Sequence, residues 1–338
     1  MIRSLSRPAA ALAVALAAVA TPRASAAPAA PPGVYQYVVH QARGSVDAVA
    51  SAIAAAAPGA GFQVLARVPV GSPPGCGYRA EVVALFHPDY GRQVLAADRR
   101  TGPFAVVDRV NVFEDEKGVH VSVTNPRSVL RTVLMDDQKH AALVESHLQA
   151  LRGLVSGAVE GTPAVEDYGQ RREKGYIGKT MGVMAGGPFG EKVAALSVVA
   201  GEDWKGVAER VRASLEKKGP KWGLHLAYVL EIPEAETVVL GSTGTPMDSQ
   251  SFSIVGGGDD SSRDGLKCPG LDHAGAYPLE VVVTKDAGAV HVRLVDSMYR
   301  MKMYFEDAGK WAFMKNMGMP GSIADEISAQ IRPALAAR

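Results

Sequence analysis

The chain has 338 residues, a length that corresponds to about two domains of ordinary size. Hydrophobic residues make up 47% of it and charged residues 21%, a composition that excludes wholesale disorder. The chain has 36 basic and 35 acidic residues, and its first 27 residues hold three arginines and no acid. The rest of the chain therefore has 33 basic and 35 acidic residues. This charge balance lacks the basic surplus that is typical of a nucleic-acid-binding protein.

The N-terminus has the pattern of a secretory signal peptide. Arg3 and Arg7 form a basic start, residues 9–20 are apolar, and the small residues 24–26 predict cleavage before Ala27. The apolar run of about 12 residues is too short to span a bilayer. We therefore expect a signal peptide over 1–26, a Pro-rich lead-in over 27–33, and a soluble periplasmic or secreted product with no membrane span.

The rest of the chain shows the same order of predicted elements twice. In the first half, strands and helices alternate as strand 34–39, helix 45–57, strands 61–70, 80–86, 104–113 and 119–123, and helix 137–155. In the second half they are strand 193–199, helix 203–217, strand 222–232, a fourth element at either 236–240 or 252–255, strands 277–284 and 290–295, and helix 322–335.

Matching details favour an internal duplication. The first helix of each half opens with a residue typical of an N-cap, Ser45 or Asp203. Val119-His120-Val121 in the first half corresponds to Val290-His291-Val292 in the second, each after a Gly-containing turn. The predicted domains are a first α+β repeat over 34–156 and a second, diverged repeat over 192–338. Residues 157–191 lack sustained periodicity and are predicted to be a linker packed loosely against one domain.

The first half resembles the family catalogued as domain of unknown function 302. The resemblance covers roughly residues 34–156 and is carried by these segments: Ser45-Val46-Asp47-Ala48-Val49, Gly61-Phe62-Gln63-Val64-Leu65, His87-Pro88, Gly102-Pro103-Phe104, the strand 110–115 and Asn125-Pro126. The chain departs from the family at His87-Pro88, where Asn-Pro is more usual. The second half looks like a diverged copy, which makes the chain a tandem pair.

This resemblance implies an α+β fold of two β-α-β4-α repeats. Each repeat would be similar to the TATA-box-binding-protein fold, with an antiparallel sheet and helices on one face. It implies no reaction.

Methionine gives the strongest local signal. Six methionines fall in two runs of identical spacing, namely Met298, Met301 and Met303, then Met314, Met317 and Met319. Thioethers suit soft metals such as copper, whereas Met beside aromatic residues is equally typical of a core or of an apolar lid. The segment therefore predicts a copper site, an apolar lid or packing.

Histidine gives a second signal, because alternation puts His120 and His291 on the faces opposite their flanking valines. If helices cover only the valine faces, His120, His291 and Arg293 become candidate ligand contacts on open sheet faces; solvated surface histidines are the alternative. His140 and His147 share a helix face without a third ligand, so they do not predict zinc.

The two cysteines leave two interpretations open. In an oxidising compartment Cys76 and Cys268 could form a disulfide, or they could be separate buried thiols. The sequence has no C-x-x-C-H, which excludes covalent c-type haem, and no motif of a known hydrolase or metalloprotease.

These patterns predict an exported, non-enzymatic binding protein. Its ligand would be copper or a small molecule held through the Met-rich segment. The alternative is an interaction subunit that docks a partner in an exported redox or assembly system, and an enzyme is the least expected class.

Overall fold

The computed structural model describes residues 31–135, 139–171, 186–201, 203–256, 268 and 270–336. The predicted signal peptide and most of the lead-in lie outside these residues. The chain from Pro31 onward forms one compact unit.

The first half begins with a strand and an N-capped helix, as its sequence predicts. Ser45 Oγ accepts a hydrogen bond from the Ala48 amide and so satisfies a free amide of the first turn. The elements are β1 (Gly33–Ala42), α1 (Val46–Ala56), β2 (Gln63–Pro69), β3 (Ala80–Phe86), α2 (Pro88–Ala97), β4 (Val107–Asp115), β5 (Gly118–Thr124), α3 (Pro126–Leu134) and α4 (Ala141–Ala158).

The segment predicted as a linker adds two short strands to the first sheet, β6 (Thr162–Pro163) and β7 (Asp167–Arg171). Both pair antiparallel with β1. The prediction of loose packing was therefore wrong for this part of the chain. Period-2 alternation is not detectable in strands of two and five residues, which explains why the sequence pattern missed them.

The second half repeats the order strand, helix, two strands, helix, two strands. Its elements are β8 (Val193–Ala200), α5 (Trp204–Leu215), β9 (His225–Ile232), β10 (Thr237–Thr243), α6 (Thr245–Gly256), β11 (Leu279–Asp286), β12 (Ala289–Val295), α7 (Ser297–Phe305), α8 (Lys310–Lys315) and α9 (Gly318–Ala336). Of the two alternatives for the fourth element, 236–240 corresponds to the strand β10, which begins at Thr237, and 252–255 lies within α6.

The fold is α+β, with two antiparallel sheets in the described residues. The first has the order β2-β3-β4-β5-β1 and is extended beyond β1 by β6 and β7. The second has the order β9-β10-β11-β12-β8. Counted from the first strand of each half, the two orders are the same. The predicted β-α-β4-α pattern lacks the helices α2 and α6, which follow the third strand of each half, and α3, α7 and α8, which follow the fifth.

Helices cover one face of the first sheet, and the second half covers the other. Val83, Val110 and Val121 face α1 and α4 in one buried cluster. On the opposite face, the amide nitrogen of Asn111 donates to the carbonyls of Leu271 and Asp272 at 3.1 and 3.0 Å. Those carbonyls belong to a 3₁₀ segment, Leu271–Ala276. The expectation of an open sheet face was wrong here, because this face is buried against the second half.

None of the helices in the described residues has both the length and the apolarity that crossing a bilayer requires.

Candidate functional site

The second half contains an apolar cavity beneath the helices that carry the methionines. It lies between α6, α7, α9 and one end of the sheet and has a volume of about 90 Å³. Apolar side chains form most of its wall: Ile254, Val255, Leu279, Leu294, Met301, Phe305, Met319, Ile323 and Ile327. Polar side chains, among them Ser251, Glu280 and Arg300, also border it. A largely apolar cavity with few polar groups is typical of a small-molecule site.

The structure separates the six methionines of the two repeated runs. Met301 and Met319 line the cavity, and Met303 is buried in the core. Met298 on α7 is half-buried. Met314 and Met317 are each 43% exposed, beside Trp311, which is 62% exposed. The repeated spacing therefore does not correspond to one shared environment.

A buried cluster of charges joins the two halves next to the cavity. Arg109 on β4 pairs through Nη1 with Glu280 on β11 and donates through Nη2 to the hydroxyl of Tyr304 at 2.5 Å. The other carboxylate oxygen of Glu280 lies 3.3 Å from Nη2 of Arg300 on α7. All four side chains are almost fully buried. The cluster holds two guanidinium groups and one carboxylate, so its net formal charge is +1.

Arg300 connects this cluster to the cavity wall. Its Nη2 also donates to the carbonyls of Ala276 and Pro278. The guanidinium stacks near the rings of Tyr277 and Tyr304, at 5.7 and 4.9 Å from their centroids. Burial raises the pKa of Tyr277 to about 12, so its hydroxyl stays neutral at physiological pH.

A second polar cluster surrounds His120 in the first half. Nδ1 of His120 lies 2.9 Å from Nδ1 of His40, and Nε2 of His120 lies 3.0 Å from Asp115 Oδ1. Nε2 of His40 lies 3.6 Å from Glu166 Oε2. The side chain of His120 is 5% exposed and that of His40 is 32% exposed. Burial lowers the pKa of His40, and the neighbouring His120 lowers it further.

The other two predicted ligand contacts have different neighbours. His291 is half-buried on β12, where it pairs with Thr284 on one side and Val198 on the other. Arg293 is buried and lies 3.6 Å from Asp286. Burial lowers the pKa of Arg293. No hydrogen bond or ion pair in the described residues joins either of them to His120.

Cys76 and Cys268 form a disulfide, with their Cα atoms 5.5 Å apart. The bond connects the loop between β2 and β3 to the segment that precedes the 3₁₀ turn Leu271–Ala276. It spans 192 residues and so links the two halves covalently.

The same loop meets a buried carboxyl on α6. Asp248 accepts hydrogen bonds from the Gly71 amide at 3.2 Å and from the Thr243 hydroxyl at 3.0 Å. Burial raises the pKa of Asp248 to about 7, although both hydrogen bonds act in the opposite direction.

His140 and His147 have structural positions on the first-half helix α4. His140 occupies the N-cap position of the helix. The ring of His147 stacks on Tyr90 at 3.6 Å and its Nε2 lies 2.9 Å from both carboxylate oxygens of Asp108. Within the described residues, no group of three or more His, Cys, Asp or Glu side chains is arranged to hold a metal ion.

Sequence reasoning missed His40, Arg109, Glu280 and Arg300. One usable signal existed, because Arg109 in Val-Asp-Arg-Val-Asn-Val and Glu280 in Leu-Glu-Val-Val-Val interrupt apolar strands near the same point of each half. Opposite charges inside two apolar strands indicate a buried pair, since isolated buried charges are costly. His40 carries no comparable signal, because it follows Val38-Val39 at a bulge in the pairing of β1 with β5.

Comparison with known proteins adds a limited resemblance. No family model and no curated protein matches the sequence. A solved structure resembles part of the chain. It is the crystal structure of an uncharacterized conserved protein, DUF302, from Bacillus stearothermophilus, which is 11% identical with a TM-score of 0.31. The match covers 37% of this chain and 98% of that one.

Proposed function

We propose that the protein is a non-enzymatic binding protein for a small, mainly apolar molecule with one anionic group. The cavity beneath α7 and α9 is the observation that carries the proposal. Its wall is mainly apolar, and two residues of the Met-rich segment, Met301 and Met319, contribute to it. Unbranched thioether side chains adapt their shape to different ligands, which suits them to such a wall.

The adjacent charge cluster supports the anionic group. Arg109 and Arg300 together exceed the single carboxylate Glu280 by one positive charge. The Arg300 side chain makes three hydrogen bonds to described residues, and Nη2 is the donor in each of them. Its Nε and Nη1 therefore have donor capacity left at the cavity wall. A carboxylate there would balance the excess charge.

Matched probes test this function. Octanoate and octanol have the same chain and differ in their head group, so isothermal titration calorimetry of both isolates the contribution of charge. We expect octanoate to bind at least tenfold more tightly than octanol. Equal affinities would overturn the anionic part of the proposal and leave an apolar site.

A cavity-filling variant tests the location. Ala324 lines the cavity, and Ala324→Leu should weaken octanoate binding at least tenfold because the added carbons occupy ligand space. Ala329→Leu is the matched control, since Ala329 is exposed on the same helix. Unchanged binding by Ala324→Leu would place the ligand elsewhere.

We also propose that the chain is exported and that its halves are tandem copies of one repeat similar to domain of unknown function 302. The disulfide between Cys76 and Cys268 supports an oxidising compartment. The shared strand order of the two sheets supports the duplication. Mass spectrometry of the secreted or periplasmic form should find an N-terminus at Ala27 and the disulfide intact; a cytoplasmic, full-length chain would contradict export.

Exposure of Trp311, Met314 and Met317 favours a second candidate function, the docking of an exported protein partner. These side chains follow one another at intervals of three residues in and after α8, and exposed aromatic and Met side chains are enriched at interfaces. Replacing Met314 and Met317 with Gln should abolish co-purification of the partner and leave octanoate binding unchanged. If the soft-metal function were correct instead, the same variant would lower the affinity for Cu(I).

A further inference from the structure

The rings of His40 and His120 approach each other through Nδ1 at hydrogen-bond distance, and the tautomer of each ring decides what holds the pair together. Their Nδ1 atoms face each other at 2.9 Å, while both Nε2 atoms face carboxylates. A carboxylate beside an imidazole nitrogen favours the proton on that nitrogen. With protons on both Nε2 atoms, each neutral ring presents a lone pair to the other, and two facing lone pairs repel unless a cation lies between them.

From this geometry we propose that His40 and His120 bind a divalent transition-metal ion of borderline softness, such as Zn²⁺ or Cu²⁺, through their Nδ1 atoms. Imidazole nitrogen suits both ions. At metal–nitrogen distances of about 2.0–2.1 Å, two nitrogens of a tetrahedral site lie roughly 3.3 Å apart, so the rings need to separate by only a few tenths of an ångström.

The surroundings of the two rings resemble the outer shell of known metal sites. Asp115 orients His120 through Nε2, and Glu166 lies on the corresponding side of His40. Carboxylates in these positions fix the tautomer and increase the basicity of a ligating histidine. Tyr37 packs against the His40 ring at 4.3 Å and restricts its rotation. The two rings are therefore held in position by the protein.

The exposure of the site to solvent and the number of protein ligands determine how tightly the metal ion is expected to bind. The 32% exposure of His40 gives an ion a path from solvent. Two imidazoles are the protein ligands, and water completes the coordination, so the site differs from the closed clusters of three or four protein ligands that hold structural zinc. We expect micromolar affinity and a readily exchanged ion. This site lies apart from the apolar cavity, and its existence does not depend on the proposed function.

Titration of the purified, disulfide-bonded protein with Zn²⁺ and Cu²⁺, followed by calorimetry, tests the proposal. One ion should bind per chain, Cu²⁺ more tightly than Zn²⁺ as the general affinity order of divalent ions requires, and Mg²⁺ should not bind. His40→Gln and His120→Gln should each lower the affinity at least 100-fold. His291→Gln is the matched control, a histidine at the corresponding position of β12, and should bind as the native protein does.

Imidazole ¹⁵N spectra of the native protein keep the test independent of any variant's folding. Addition of Zn²⁺ should shift the Nδ1 resonances of His40 and His120 and leave their Nε2 atoms protonated. Two outcomes would overturn the proposal: equal metal affinity in all variants, or Nδ1 resonances that respond to pH but not to Zn²⁺. The latter result would mean that the pair shares a proton only.

Discussion

The two halves have the same strand order, yet they fill the space beneath their last helix differently. In the first half, Leu148, Leu151, Leu154 and Val155 form a buried ridge along α4, each at most 4% exposed, against the sheet. In the second half, the corresponding helix α9 borders a cavity of about 90 Å³. One topology can thus support either a filled core or a hollow one.

Hydrogen bonds to the Glu326 carboxylate hold α9 in place. Glu326 on α9 is buried and accepts hydrogen bonds from the backbone amides of Lys221, Trp222 and Leu224 at 2.8–3.2 Å. This carboxylate fixes the helix to the segment that precedes β9. Because these hydrogen bonds position α9, the helix does not need apolar packing along its whole length to stay in place, and a cavity can persist beside it.

The largest expected effect comes from the charge pair at which the two halves meet. Arg109→Met removes one partner and leaves Glu280 buried with only Arg300 beside it, so the free energy of unfolding should fall by about 3–5 kcal/mol. Urea denaturation measures it. Arg43→Met breaks an exposed pair with Glu160 and should change stability by less than about 1 kcal/mol. Similar losses in the two variants would mean that Arg109 is not effectively buried.

The helices α2 and α6 correspond in the two halves, but only α6 carries a buried carboxyl, Asp248. This carboxyl should make the stability of the protein depend on pH. Because the pKa of Asp248 is about 7 in the folded protein, above its ordinary value, its contribution to stability is present below about pH 4 and is lost as pH rises through 7. The stability of Asp248→Asn relative to the native protein should therefore rise by roughly 4 kcal/mol between pH 4 and pH 9.

Denaturation at several pH values measures this difference. Asp89→Asn, an exposed carboxyl on α2, serves as the control. A pH-independent difference between Asp248→Asn and the native protein would show that Asp248 is solvated.

The smallest expected difference, between two truncations to alanine, compares the filled core of the first half with the hollow core of the second. Leu151→Ala removes a fully buried side chain from the ridge and should cost about 4 kcal/mol, whereas Ile323→Ala should cost about 2 kcal/mol, because Ile323 already has empty space on one side. Thermal or urea unfolding compares the two. Equal costs would indicate that the cavity collapses around its wall.

Strongly periodic elements were predictable from the sequence, and locally irregular ones were not. The valine-rich strands β4, β5, β11 and β12 and the capped helices α1 and α5 lie within a few residues of their predicted positions. Helix α2 was missed because it has only ten residues and only four of them are buried. Methionine spacing located the cavity segment but not the cavity, since an empty volume depends on three helices that approach from distant parts of the chain.

Of the contacts in the buried clusters, the Arg109–Glu280 pair leaves a signal in the sequence and the histidine pair does not. Alternation correctly predicts that His120 lies opposite the valine face, but exposure of that face depends on what covers it. The partner of His120 is His40, 80 residues earlier, and the partner of Arg109 is Glu280, 171 residues later. Without co-varying positions, the pairing of His40 with His120 leaves no local pattern.

The short strands β6 and β7 bear on the order in which the protein can fold during its synthesis. They cover the edge of β1, which would otherwise offer unpaired backbone groups to another chain. Tyr168 on β7 also donates its hydroxyl to the carbonyl of Asp272 in the second half at 2.7 Å. The ribosome delivers Gly33–Ala42 more than a hundred residues before the segment that covers it, so the edge of β1 stays open to pairing with another chain until residue 171 emerges.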